Sequence, residues 1–95
     1  MKFAAALLAI ILPAQAWAWT YVDGSGSVFD GRRNVGCTRS ITPAGKTFDW
    51  DRGFFEDCCI HLYAEPGCVN QVGFSCKDWK KPASRNLAAF TVTNC

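Results

Sequence analysis

His61 is the single histidine of the chain. It is the one side chain whose ordinary pKa suits acid–base chemistry near neutral pH. Glu56, Asp57 and Glu65 lie within a few positions of it. With an arginine, such a set could compose a small secreted ribonuclease-like hydrolase in which His61 acts as general base. No recognisable nuclease motif accompanies these residues. Along a strand, His61 would share a face with Cys59 and Tyr63, while Ile60 and Leu62 took the other. If the latter pair faces the core, His61 is a cross-strand surface histidine. We therefore expect a non-enzyme, with no residue assigned to catalysis.

Three further groups could recognise a ligand. Asp49 and Asp51 would project from one face of a strand and could meet a cation or a sugar, although such pairs are more often a solvated strand edge. Lys77, Lys80, Lys81 and Arg85 surround Trp79, which could stack on a sugar or a base; four positive charges in nine residues are more often an exposed loop. The aromatic residues are the stronger signal: eleven lie between Trp19 and Phe90. So small a core should leave some of them exposed, and exposed aromatic patches bind partners. Trp50, Phe54, Phe55 and Trp79 adjoin loops and are the expected binding surface.

The six cysteines, Cys37, Cys58, Cys59, Cys68, Cys76 and Cys95, form no Cys-x-x-Cys pair, so neither zinc nor dithiol redox chemistry is expected. Neither a metal nor any other cofactor is implied. An even number in a short chain reads as three disulfides, each contributing about 2–4 kcal/mol. Excluding a vicinal Cys58–Cys59 bridge leaves 12 of the 15 pairings open. If the doublet begins a strand, its two bridges should run to different layers. Cys95 should tie down the terminal strand.

These residues must be positioned by a small scaffold. The chain has 95 residues and a net charge of +2. Lys2, the apolar run Phe3–Leu12, Pro13 and the small-x-small sites Ala14-Gln15-Ala16 and Ala16-Trp17-Ala18 read as a secretory signal peptide. The apolar run is about half the length needed to span a bilayer. We place the leader at 1–18, cleavage after Ala16 being the alternative, and a single cysteine-rich secreted domain at 19–95. That domain of 77 residues carries a net charge of +1 and has no second apolar run. A multidomain enzyme is excluded by length. Nucleic acid is not an expected partner, no membrane span is expected, and the product should be a monomeric extracellular protein.

Within the domain, residues 23–36 read as a loop that could hold a short Val28-Phe29 strand. Cys37–Ile41 and Lys46–Trp50 flank Thr42-Pro43-Ala44-Gly45, the pattern of a hairpin. Phe48 and Trp50 alternate with polar residues as in a half-buried strand. Residues 51–57 could form a helical turn or a wide loop. Cys58–Tyr63 is the clearest strand, Glu65-Pro66-Gly67 carries type II turn chemistry, and Cys68–Cys76 should return antiparallel. Lys77–Asn86 reads as a connection and Leu87–Cys95 as a terminal strand. No internal repeat is visible. The expectation is a small all-β, or β-rich α+β, disulfide-stapled domain, with a Greek-key sandwich favoured.

The segment Phe48–Tyr63, with its Cys58-Cys59-Ile60-His61-Leu62-Tyr63 end, and the later Trp79–Arg85 and Phe90–Cys95 resemble fungal small secreted cysteine-rich proteins, a group that includes many candidate effectors. Leu62-Tyr63 with Glu65-Pro66-Gly67, and the close at Leu87–Val92, are similar to a Greek key of the βγ-crystallins. That likeness covers the C-terminal half. In the crystallin pattern a calcium-binding segment precedes the last strand; here its place is taken by Ser84-Arg85-Asn86-Leu87-Ala88-Ala89. The oxygen ligands are largely missing, so calcium binding is expected to be lost and disulfides to stabilise the fold in its place. These resemblances imply a secreted interaction protein, an effector acting on a host or competitor protein or a cell-surface glycan. An antimicrobial or killer-toxin-like protein shares the scaffold, but a charge of +1 argues against membrane attack.

Overall fold

The computed structural model describes residues 18–53 and 57–95. Among them are eight strands and no helix: β1 (Trp19–Val22), β2 (Val28–Gly31), β3 (Val35–Thr42), β4 (Thr47–Asp51), β5 (Cys59–Glu65), β6 (Val69–Ser75), β7 (Trp79–Pro82) and β8 (Leu87–Thr93). They form two four-stranded sheets in the orders β2-β1-β4-β7 and β3-β8-β5-β6, with antiparallel pairing throughout. The domain is all-β, and its two sheets form a small sandwich. The leader residues 1–17 lie outside the described residues.

The order contains a repeat that the residues do not advertise. β4-β1-β2 and β8-β5-β6 have the same arrangement, and the third strand of each half, β3 or β7, lies at the edge of the other half's sheet. Each half is thus a Greek key whose third strand has crossed over. This exchange corrects the expected hairpin at Thr42–Gly45. β3 pairs with β8, whereas β4 pairs with β1 and β7. Pro43 and Gly45 turn the chain from one sheet to the other. The connector bonds to the β7–β8 connection instead: Gly45 N donates to the Ala83 carbonyl at 2.8 Å, and Ala83 N to the Lys46 carbonyl at 2.9 Å. Proline and glycine mark a reversal, but they do not say whether its arms pair or part.

Alternation decides what each sheet buries. Trp19 and Tyr21 of β1 and Phe48 and Trp50 of β4 point inward from the first sheet; Ile60 and Leu62 of β5 and Phe90 and Val92 of β8 meet them from the second. The Tyr21 and Phe90 rings are 4.8 Å apart, and Phe29 meets Phe90 at 5.0 Å. This layer uses more of the aromatic residues than the small size of the domain led us to expect. Trp50 is 0% exposed, so its assignment to an aromatic binding surface is corrected: it is the floor of the core.

The Lys77–Asn86 connection also contains a strand. β7 adds to the free edge of β4, with Trp79 opposite Trp50 and Pro82 opposite Thr47. Proline is tolerated there because an edge strand needs hydrogen bonds on one side only. The β5–β6 hairpin and the terminal β8 follow the sequence pattern, and Gly67 takes φ +84° in the turn.

The disulfides are Cys37–Cys68, Cys58–Cys95 and Cys59–Cys76. The Cys58-Cys59 doublet does not join two layers. It flanks the start of β5 and ties it to the ends of β8 and β6, its two neighbours in one sheet. Cys37–Cys68 connects β3 to the β5–β6 turn, again within that sheet. All three bridges reinforce the second sheet, and Cys95 does fasten the terminal strand.

Candidate functional site

The outer face of the second sheet carries His61. Its ring lies 4.8 Å from that of Phe74, its register partner on β6. Nδ1 is 3.0 Å from Gln71 Oε1 and Nε2 is 2.8 Å from Thr93 Oγ1. In the tautomer that satisfies both, Nδ1–H donates to the amide oxygen and Nε2 accepts from the hydroxyl. Both ring nitrogens are therefore engaged across the sheet. The expected carboxylates are occupied elsewhere: Asp57 is exposed and 3.8 Å from Arg52, and Glu65 accepts from the Asn70 amide. Glu56 lies outside the described residues.

The proposed aromatic patch does not assemble. Trp50 is buried, and Phe54 and Phe55 lie outside the described residues. Trp79 is half-buried, its ring edge-on to Phe48 at 5.0 Å. The same ring packs on Gly73 of β6, where a Cβ would come within 3.0 Å of it. Lys81 Nζ lies 6.0 Å from the Trp79 ring centre, and Lys80 stands opposite Asp49 in the ladder. Asp51 Oδ1 accepts from Gly53 N at 3.0 Å, so it closes a local turn. Among the described residues no group of three or more His, Cys, Asp or Glu could hold a metal ion.

A cleft opens between the edge strands β2 and β3. It comprises two grooves that share Phe29. The first, about 490 Å³, is bounded by Phe29, Ile41, Pro66 and Leu87, with Arg39 and Ser40 among its polar lining. The second, about 440 Å³, has Trp19, Phe29, Val35 and Phe90 as its apolar lining and Arg32 and Arg33 beside them. Each volume is within the range of roughly 300–1,000 Å³ usual for ligand sites. Aromatic alternation at Val28-Phe29 and the Arg32-Arg33 doublet were the available signals, diluted by the glycines around them.

The first groove is bordered by Asp23, which is 3% exposed at the tip of the β1–β2 hairpin. Its Oδ1 accepts from Ser25 N at 2.9 Å, Ser25 Oγ at 2.6 Å and Ser27 N at 3.0 Å; its Oδ2 accepts from Ile41 N of β3 at 2.9 Å. Ser25 N also donates to the Ile41 carbonyl at 3.1 Å. One carboxylate thus completes the hairpin and couples it to the edge of the opposite sheet. Burial opposes ionisation, but the donors from Ile41, Ser25 and Ser27 outweigh it and hold the Asp23 pKa below its ordinary value.

Beneath this tip the hydroxyl of Tyr21 lies beside those of Thr42 and Ser40. Burial is the main reason that its pKa is pushed up to about 12. Neither Tyr21 Oη nor Ser40 Oγ completes a hydrogen bond within the chain. Ser40 is only 6% exposed, yet it lies in the groove lining.

No family model matches the chain, and neither the curated proteins nor the solved structures yield a match. The fold and the cleft therefore stand on their own geometry. Three disulfides are the usual stabiliser of small domains in oxidising compartments, and among the described residues no helix is long and apolar enough to cross a membrane.

Proposed function

We propose that this is a secreted, non-catalytic binding domain that acts outside its producer on a host or competitor molecule, in the manner of the fungal cysteine-rich effectors it resembles. The observation that carries this reading is the cleft between β2 and β3. It combines two grooves of ligand size, an aromatic divider and exposed arginines, on a scaffold braced by three disulfides. The occupied nitrogens of His61 support binding over general-base chemistry.

The same proposal reads the scaffold as a crystallin-type double Greek key. Support comes from the exchanged third strands, which extend the likeness from the C-terminal half to both halves. In this reading the disulfides replace bound calcium. Asn86, in the segment where calcium ligands would be sought, instead accepts a hydrogen bond from Ala44 N at 2.8 Å.

The test is expression with the native leader. The protein should accumulate in the culture fluid, begin at Trp17 or Trp19 and contain no free thiol. His61→Ala should leave secretion, fold and target binding unchanged. Retention inside the cell would contradict the secretion reading. A hydrolytic activity abolished by His61→Ala would replace binding with the ribonuclease-like alternative.

A further inference from the structure

We propose that the β2–β3 cleft takes an extended, acidic peptide segment of a partner protein and seats two of its apolar side chains on either side of Phe29. The inference rests on the reading of the cleft as the binding site and names the class of its ligand.

Three observations converge. β2 and β3 are the outermost strands on one side of their sheets. The outer edge of β3 is already capped at Ile41 by Asp23 and Ser25, but from Val35 to Arg39 no strand pairs with it. An added strand there would gain main-chain hydrogen bonds. Its alternate side chains, about 7 Å apart, would point between the sheets. Two grooves divided by one aromatic ring suit that alternation, and their walls of Phe29, Val35, Ile41 and Phe90 select apolar side chains.

The charge of the rim supplies the second half of the specificity. Arg32 and Arg33 line one groove and Arg39 the other, against Asp30. Asp23 also lies there and is ionised, but it is only 3% exposed and its carboxylate is turned onto four internal donors. The exposed Arg33 and Arg39 therefore place one cation beside each groove, which complements acidic residues flanking the apolar pair. A glycan would leave the apolar walls poorly used.

The experiment selects from short random linear peptides displayed on phage, with the intact, oxidised, secreted protein as bait. Enriched sequences should contain an apolar-x-apolar core flanked by Asp or Glu. A synthetic consensus peptide should lose affinity on the order of tenfold with the Arg33→Glu/Arg39→Glu double variant, and should weaken as salt is raised. His61→Ala should bind normally. Both arginines are exposed, and a melting curve checks the fold; Arg33→Gln/Arg39→Gln serves if charge reversal prevents folding. Failure to enrich any peptide, enrichment of basic sequences, or binding indifferent to both double variants would overturn the proposal. An oligosaccharide bound in a manner lost in the double variant would overturn the peptide class and leave the cleft as the binding site. Target-cell binding that ignores the cleft variants would overturn the underlying reading itself.

Discussion

Asp23→Ala should lower the stability of the domain by about 3 kcal/mol, because it strips four hydrogen bonds from one buried carboxylate and leaves Ile41 N and Ser27 N without that acceptor. In a domain of this size that is a fall in melting temperature of about 15 °C. The loss should be greatest at neutral pH. Asp23 has a folded pKa below its ordinary value of 3.8. Its charged form therefore contributes fully above that value, and its contribution is lost as the pH falls through the lower folded pKa. Melting curves of the parent and Asp23→Asn proteins should accordingly converge in acid. A constant gap between them down to strongly acidic pH would show that the carboxylate charge does not hold the hairpin to β3.

Trp50→Ala should cost about 3–5 kcal/mol, the usual range for deleting a large buried aromatic side chain. Trp50 is fully buried, lies 5.8 Å from Trp19 ring to ring, and sits beside Tyr21 in the β1–β4 ladder. Trp79→Ala, at a half-buried edge position, should cost distinctly less. Chemical denaturation of the two variants with the disulfides intact gives the comparison. If Trp50→Ala left stability unchanged but abolished binding, Trp50 would belong to a surface patch and the assignment of the core would be wrong.

Trp50 shows where the sequence was legible and where it was not. The alternation Phe48-Asp49-Trp50 identified the strand and the two residues that share a face, because the period of a strand is local. It did not say whether that face met water or another sheet. The answer depends on how many aromatic residues the opposite layer can accept, and here Phe90, Ile60 and Val92 supply that layer. The same limit explains the misplaced hairpin at Thr42–Gly45. A turn signal is local, whereas the pairing of β3 with β8 spans half the chain. β7 was hidden because an edge strand such as Trp79-Lys80-Lys81-Pro82 has the composition of a loop, with lysine and proline guarding its free side.

The cysteines divide in the same way. Their participation in disulfides followed from count and chain length. The pairing followed only from topology, since β8 and β6 lie on the two sides of β5 and bring Cys95 and Cys76 to the adjacent cysteines. The candidate site was the least legible part. Phe29, Arg33, Arg39 and Ser40 are scattered over a glycine-rich stretch and a polar strand. They come together only because the exchange of third strands places β2 and β3 at neighbouring sheet edges.

The claim that this cleft is the working surface is tested most directly by the binding of labelled, oxidised protein to candidate host and competitor cells. The parent and His61→Ala proteins should bind saturably with equal affinity, and Arg33→Glu/Arg39→Glu should bind on the order of tenfold more weakly. Equal binding by the double variant together with loss in His61→Ala would contradict the account and move the functional surface to the outer face of the second sheet.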